Sequence, residues 1–108
     1  SIGGVLATSA STLLKIASPY LATISTIVQI IGAVLNILKP EESVDEIGDK
    51  AMSADKQVED FNTTEEYIEY LRDEVSFNKD EFDKLSKEDK IARTAVGTSI
   101  VMKAIDEK

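Results

Sequence analysis

Apolar residues recur at alternating steps of three and four along the first part of the chain, at Leu14, Ala17, Leu21, Ile24, Val28, Ile31, Leu35 and Leu38. This is the period of one helix face. Leu13, Tyr20, Ile27 and Val34 flank the stripe on one side, and Ile16, Ile30 and Ile37 widen it. At 100° per residue these positions cover an arc of roughly 160°, wider than a two-stranded coiled-coil seam. The opposite arc holds Ser18, Ser25, Thr26, Gln29, Gly32, Ala33 and Asn36, which are small or polar but uncharged. A helix facing bulk water normally carries Lys and Glu there, so the pattern predicts a helix packed on most sides. Pro19 interrupts it. With Ser18 as N-cap, Pro19 fits the first turn of a helix, where its missing N–H has no partner to lose. The segment therefore divides into a helix near 5–17 and another near 19–38, stopped by Lys39 and Pro40, with one kinked helix as the alternative.

Helix-start signals dominate the rest of the chain. Ser43 with Glu46 and Thr63 with Glu66 form capping boxes, and Asn78 with Glu81 repeats the spacing. Phe77 and Phe82 stand where a hydrophobic staple clamps a helix entry. Ser86 caps a last helix carrying Ile91, Ala95, Met102 and Ile105 on one side, with Val96 and Ile100 nearby. The helix opened by Ser43 carries Val44, Ile47, Ala51, Ala54 and Val58; the one opened by Thr63 turns Tyr67, Ile68, Leu71 and Val75 inward. No alternating run indicates a strand. The expected fold is all-α, an irregular bundle of five or six helices around a long uncharged apolar central helix, in one domain over 1–108. Tyr67, Leu71, Phe77, Phe82, Leu85 and Ile91 are expected to cover its apolar arc. On that expectation Ile24, Ile31 and Leu71 are core positions, each worth roughly 2–5 kcal/mol on truncation.

Charge sharpens the division at Pro40. The whole chain has 12 basic and 20 acidic residues, a net charge of −8. Only Lys15 and Lys39 are charged in residues 1–40, which leaves +2 there and −10 in residues 41–108. Such a field repels nucleic acid and anionic lipid surfaces and is compatible with a protein partner or self-association. The opening Ser-Ile-Gly-Gly, without Met, reads as the start of a piece of a larger protein.

Catalytic chemistry is hard to place. The sequence has no His and no Cys, which removes the usual general base, the commonest transition-metal ligand and any thiolate site. Glu65, Glu66, Glu69, Asp73 and Glu74 lie off the apolar stripe of their helix and read as a solvated face. Asp80, Glu81 and Asp83 lack the central Gly of an EF-hand loop and suit a helix start. Ser86 and Lys90 have dyad spacing, but capping already accounts for Ser86. No phosphate-binding or dinucleotide motif follows Gly3-Gly4. No catalytic, cofactor-binding or metal-ligating residue is assigned, no cofactor is expected, and no small-molecule ligand is indicated.

One feature resists a purely structural account. From Ile16 to Leu38 no residue is charged, a run of ~34 Å as a helix, long enough for a bilayer. Six polar residues, Pro19 and Gly32 fall within it, and the polar ones gather on one arc, which favours a core or an assembly surface. The candidate interface or core stripe is Leu14, Leu21, Ile24, Val28, Ile31, Leu35 and Leu38. The texture of the chain, an apolar Ser/Thr/Ala/Ile-rich stretch followed by acidic helices, is similar to that of bacterial phage-tail or exported-effector proteins in composition, without a motif. The expected function is a non-catalytic helical assembly or interaction module. Conditional membrane insertion of the apolar stretch, shielded by the acidic helices, is the alternative.

Overall fold

The structure, a computed structural model, describes residues 18–108. The expected helix near 5–17, and Leu14 with it, lies outside the described residues. Five α-helices follow in order: α1 (Ser18–Val34), α2 (Val44–Ser53), α3 (Thr64–Glu74), α4 (Lys79–Asp83) and α5 (Lys87–Asp106), with a short 3-10 turn at Val58–Asp60 between α2 and α3. No strand occurs among the described residues, and the fold is an all-α bundle.

The capping residues act as their chemistry dictates. Ser43, Thr63, Asn78 and Ser86 each accept a hydrogen bond from the backbone N–H three residues on, at 3.1–3.2 Å. Each satisfies one donor that the first turn leaves without a partner. Acidic residues stand in the first turns of α2 to α5, where the helix dipole favours them. Phe77 and Phe82 pair with ring centroids 5.7 Å apart across the start of α4, as a staple requires.

α1 ends four residues before the expected Leu38. Asn36 takes the left-handed conformation with φ of 60°. The Ile37 N–H then donates to the Gly32 carbonyl at 2.8 Å and the Asn36 N–H to the Ala33 carbonyl at 3.1 Å, the paired bonds of a Schellman stop. Asn tolerates this backbone better than any branched residue. The reversal tucks Ile37 and Leu38 into the core instead of extending the helix.

The helix at the centre of the bundle is α5, which packs most extensively on α2 and then on α1. Small residues make this possible: Ala95, Gly97, Thr98, Ser99 and Ala104 are all buried. Gly48 and Gly97 meet at the α2–α5 crossing. A Cβ on Gly48 would stand 1.7 Å from the Arg93 carbonyl oxygen, and one on Gly97 1.7 Å from that of Val44. Arg93 Nε donates to Asp49 at 2.9 Å and the Thr94 hydroxyl to Asp45 at 2.8 Å, tying the two helices beside the contact.

The main core joins Val44 and Ile47 of α2, Tyr67, Ile68 and Leu71 of α3, and Ile100, Val101 and Ala104 of α5, with Val28, Ile37, Leu38 and Val58. A smaller cluster sets Leu21 against Ala95, flanked by Ile91 and Val96. Of the residues expected to cover the apolar arc, Tyr67 and Leu71 are buried, Phe77, Phe82 and Leu85 are half-buried, and Ile91 packs on the Leu21 cluster. Burial now separates two positions that the sequence pattern treats alike. Leu71 has no exposed surface, whereas Ile31 remains 39% exposed. Leu71→Ala is expected to cost roughly 2–5 kcal/mol, and Ile31→Ala under about 1 kcal/mol, in urea unfolding. Equal losses would contradict this packing.

Candidate interaction surface

α1 has two different faces. Leu21, Ser25, Val28 and Gly32 are buried, and this side lies on α5. Gly32 gives the closest approach, since a Cβ there would reach 3.0 Å from Val101 Cγ1. Gln29 reaches out from α1 to accept a hydrogen bond from the Val44 N–H at 3.2 Å, covering a free donor at the start of α2. The second face carries Tyr20, Ile27, Ile30, Ile31 and Val34, whose exposure runs from 39% at Ile31 to 74% at Val34. They occupy an arc of roughly 100° and a length of ~21 Å. Seven large apolar side chains are notably exposed among the described residues, and five of them lie on this strip. Scattered exposed apolar residues need no explanation, but a contiguous strip does.

Of the stripe read from the sequence, Leu21, Val28 and Leu38 are buried, Ile24 and Leu35 are half-buried, and Ile31 is mostly in the exposed strip. The inward direction is turned toward Ser25 and Gly32, two residues of the arc that the pattern assigns to the polar side. Small side chains let α1 approach α5 closely, and that closeness leaves the bulky residues of the flank outside. The usable signal is the spacing of small residues on α1, Ser25 and Gly32 seven positions apart on one face.

The acidic residues form a separate, open groove lined by Asp55, Lys56, Glu66, Glu69, Tyr70, Asp73 and Glu74. Glu66, Glu69, Asp73 and Glu74 are exposed, as a solvated helix face requires. Glu65 pairs with Lys108 at 2.9 Å. Lys56 Nζ lies 5.7 Å from the Tyr70 ring centroid, and Tyr70 stacks on Tyr67 and meets Phe61 at a tilt. Burial, then the neighbouring Tyr70 and Asp60, pushes the Tyr67 hydroxyl up to about 12, so it stays neutral. Among the described residues no three acidic side chains converge as metal ligands. Ser86 Oγ is engaged by the Asp89 N–H as a helix cap.

Two carboxylates, Glu42 and Glu107, tie distant segments of the chain together. Arg72 grips Glu42 with both Nε, at 2.9 Å, and Nη2, at 2.6 Å, while Nη2 also donates to the Ile37 carbonyl at 3.2 Å. The Lys39 N–H donates to the same carboxylate at 2.8 Å. Burial alone would raise the Glu42 carboxyl, but the Arg72 and Lys39 hydrogen bonds and the charges of Arg72 and Lys50 outweigh it and hold the group below its usual range. Near the chain end, Glu107 accepts from the Thr64 N–H at 2.8 Å and from the Thr64 hydroxyl, anchoring the end of α5 at the start of α3.

No helix of the described residues is long and apolar enough to cross a membrane. Compared with protein-family models, with characterised proteins and with solved structures, the chain matches none.

Proposed function

We propose that this chain is a non-catalytic helical assembly module, and that it acts through the outer face of α1. The observation that carries this reading is the strip formed by Tyr20, Ile27, Ile30, Ile31 and Val34, left exposed on a helix without a single charged residue. Leaving so many large apolar groups in water forgoes on the order of 1–2 kcal/mol for each, which a partner would recover. The acidic groove supports no comparable reading, because it is open and its carboxylates Glu66, Glu69, Asp73 and Glu74 are exposed, as on a solvated helix face.

The test is binding of an uncharged apolar fluorescent dye, Nile red, to the dilute full chain and to the Ile30→Lys/Val34→Lys variant. Both positions are exposed, so the variant should keep its helix content and lose most of the dye signal. Equal dye binding by the two proteins would remove the reading. The alternative of membrane contact uses the same strip, and phosphatidylcholine vesicles at neutral and acidic pH probe it directly. Flotation of the parent chain with the vesicles, lost in the variant, would transfer the proposal from a protein partner to a lipid surface.

A further inference from the structure

Along the outer side of α1, the exposed Tyr20, Ile27, Ile31 and Val34, with the half-buried Ile24 at their edge, alternate steps of four and three. That is the spacing of a helix seam whose partner is another helix. In the sequence the same alternation runs on upstream through Ala17 and Leu13. We infer that the occupant of this face is a second copy of the chain, with the two α1 helices packed antiparallel about a two-fold axis at Ile27. The inference rests on the assembly reading above and names its partner.

Three observations favour a second copy. The first is chemical. Helices α2 to α5 each carry acidic residues in their first turn, whereas α1 has no charge. A charged partner would have to bury charges against this face without a counter-ion. A second α1 brings none, so two copies of a −8 chain meet along a seam where like-charge repulsion is weakest. The second is geometric. Ile27 lies midway between Tyr20 and Val34, so antiparallel pairing sets the largest seam residue against the smallest at both ends and Ile24 near Ile31. The Tyr20 hydroxyl then emerges at the edge, where it keeps its water. Antiparallel packing also opposes the two helix dipoles favourably. The third is size. At about 100 Å² each, the five strip residues offer on the order of 500 Å² per copy, within the range of interaction patches and below the ~800 Å² of a standard interface. A reversible dimer is the expected result, not a permanent one.

The experiment uses the full chain, followed by light scattering over a concentration series with dye binding read on the same samples. The expected mass rises from 11.8 kDa toward twice that value, and dye bound per chain falls in step as the second copy covers the strip. Ile27→Lys, which places two ammonium groups together on the axis, should weaken the dimer at least ~10-fold without loss of helix content. Since the chain contains no cysteine, Ile27→Cys supplies a clean second probe and should oxidise to a covalent dimer that a Met52→Cys control does not form. A mass of one chain at every concentration, with dye still bound, would overturn self-association and leave the assembly reading standing. Absence of dye binding even in the dilute chain would mean that the strip is covered within the chain, and both would fall. Masses above two chains would overturn the two-fold pairing.

Discussion

Gly48→Ala and Gly97→Ala are each expected to destabilise the protein by about 3 kcal/mol or more, at the upper end of what overpacking does. In each case the added carbon would stand 1.7 Å from a backbone carbonyl oxygen of the facing helix. Backbone oxygen cannot turn aside as a side-chain tip can. The helices must therefore separate by more than an ångström, measured against the ordinary ~3.5 Å contact. Separation opens the most extensive helix contact of the fold and lengthens the Arg93–Asp49 and Thr94–Asp45 bonds beside it. Alanine's better helix propensity returns only about 1 kcal/mol. Gly32→Ala is the internal comparison, because its new carbon would meet the side chains of Val101 and Leu38 at 3.0 and 3.2 Å. Those can shift by a few tenths of an ångström, so its loss should be clearly smaller. The double variant Gly48→Ala/Gly97→Ala should lose less than the sum of the singles, since one displacement relieves both clashes. Urea unfolding followed by circular dichroism gives all four values. A Gly48→Ala protein within about 1 kcal/mol of the parent would show that the two helices do not cross there.

These glycines also show where sequence reasoning stopped. The helix starts were legible because a cap is a local device. Ser43, Thr63, Asn78 and Ser86 each need only a backbone N–H three residues away, and all four find it. The all-α class followed from the same signals and from helical periodicity. The end of α1 is equally local, yet in the pattern Asn36 is one more polar residue of the outer arc. Its left-handed backbone is what stops the helix. The choice of central helix was not legible from hydropathy. Gly97, Thr98 and Ser99 look like solvent-facing residues in a pattern of apolar and polar letters, but small volume, not low polarity, is what admits another helix at close range. The same principle decides which face of α1 turns inward: Ser25 and Gly32 go toward α5, and Ile27, Ile30 and Val34 stay out. A periodic stripe shows that a helix has an apolar side. It does not say which edge of a wide stripe its partner will take. The Glu42–Arg72 pair, separated by 30 positions in the chain, left no pattern that a single sequence could reveal.

That pair carries the second large effect, and its two halves should respond to pH in opposite ways. Glu42→Gln is expected to cost about 3–5 kcal/mol near neutral pH, because it leaves Arg72 bonded to a neutral amide in a largely buried site. In the parent the folded Glu42 carboxyl lies below its unfolded value. Its stabilising share is therefore complete above the unfolded value of ~4.3 and is lost as the pH falls through the lower folded value. The gap between parent and Glu42→Gln should accordingly be widest near neutrality and close in acid. Glu107 is shifted in the same direction, its hydrogen bonds to Thr64 and the nearby Lys103 outweighing burial. It remains intact in the variant, so some acid sensitivity will persist there. Arg72→Met removes the partner and leaves the carboxylate buried, where desolvation raises its folded value instead. That variant should be destabilised by a similar amount at neutral pH and should regain stability relative to the parent as Glu42 takes up a proton. The combination Glu42→Gln/Arg72→Met should lose less than either single change suggests, since no unpaired charge remains. Relief of the general −8 charge repulsion on acidification acts on all these proteins alike and largely cancels in the differences. Urea midpoints measured from about pH 3 to about pH 8 separate the cases. An Arg72→Met protein that weakens in acid as steeply as the parent would show that Glu42 is not held as a buried carboxylate by Arg72.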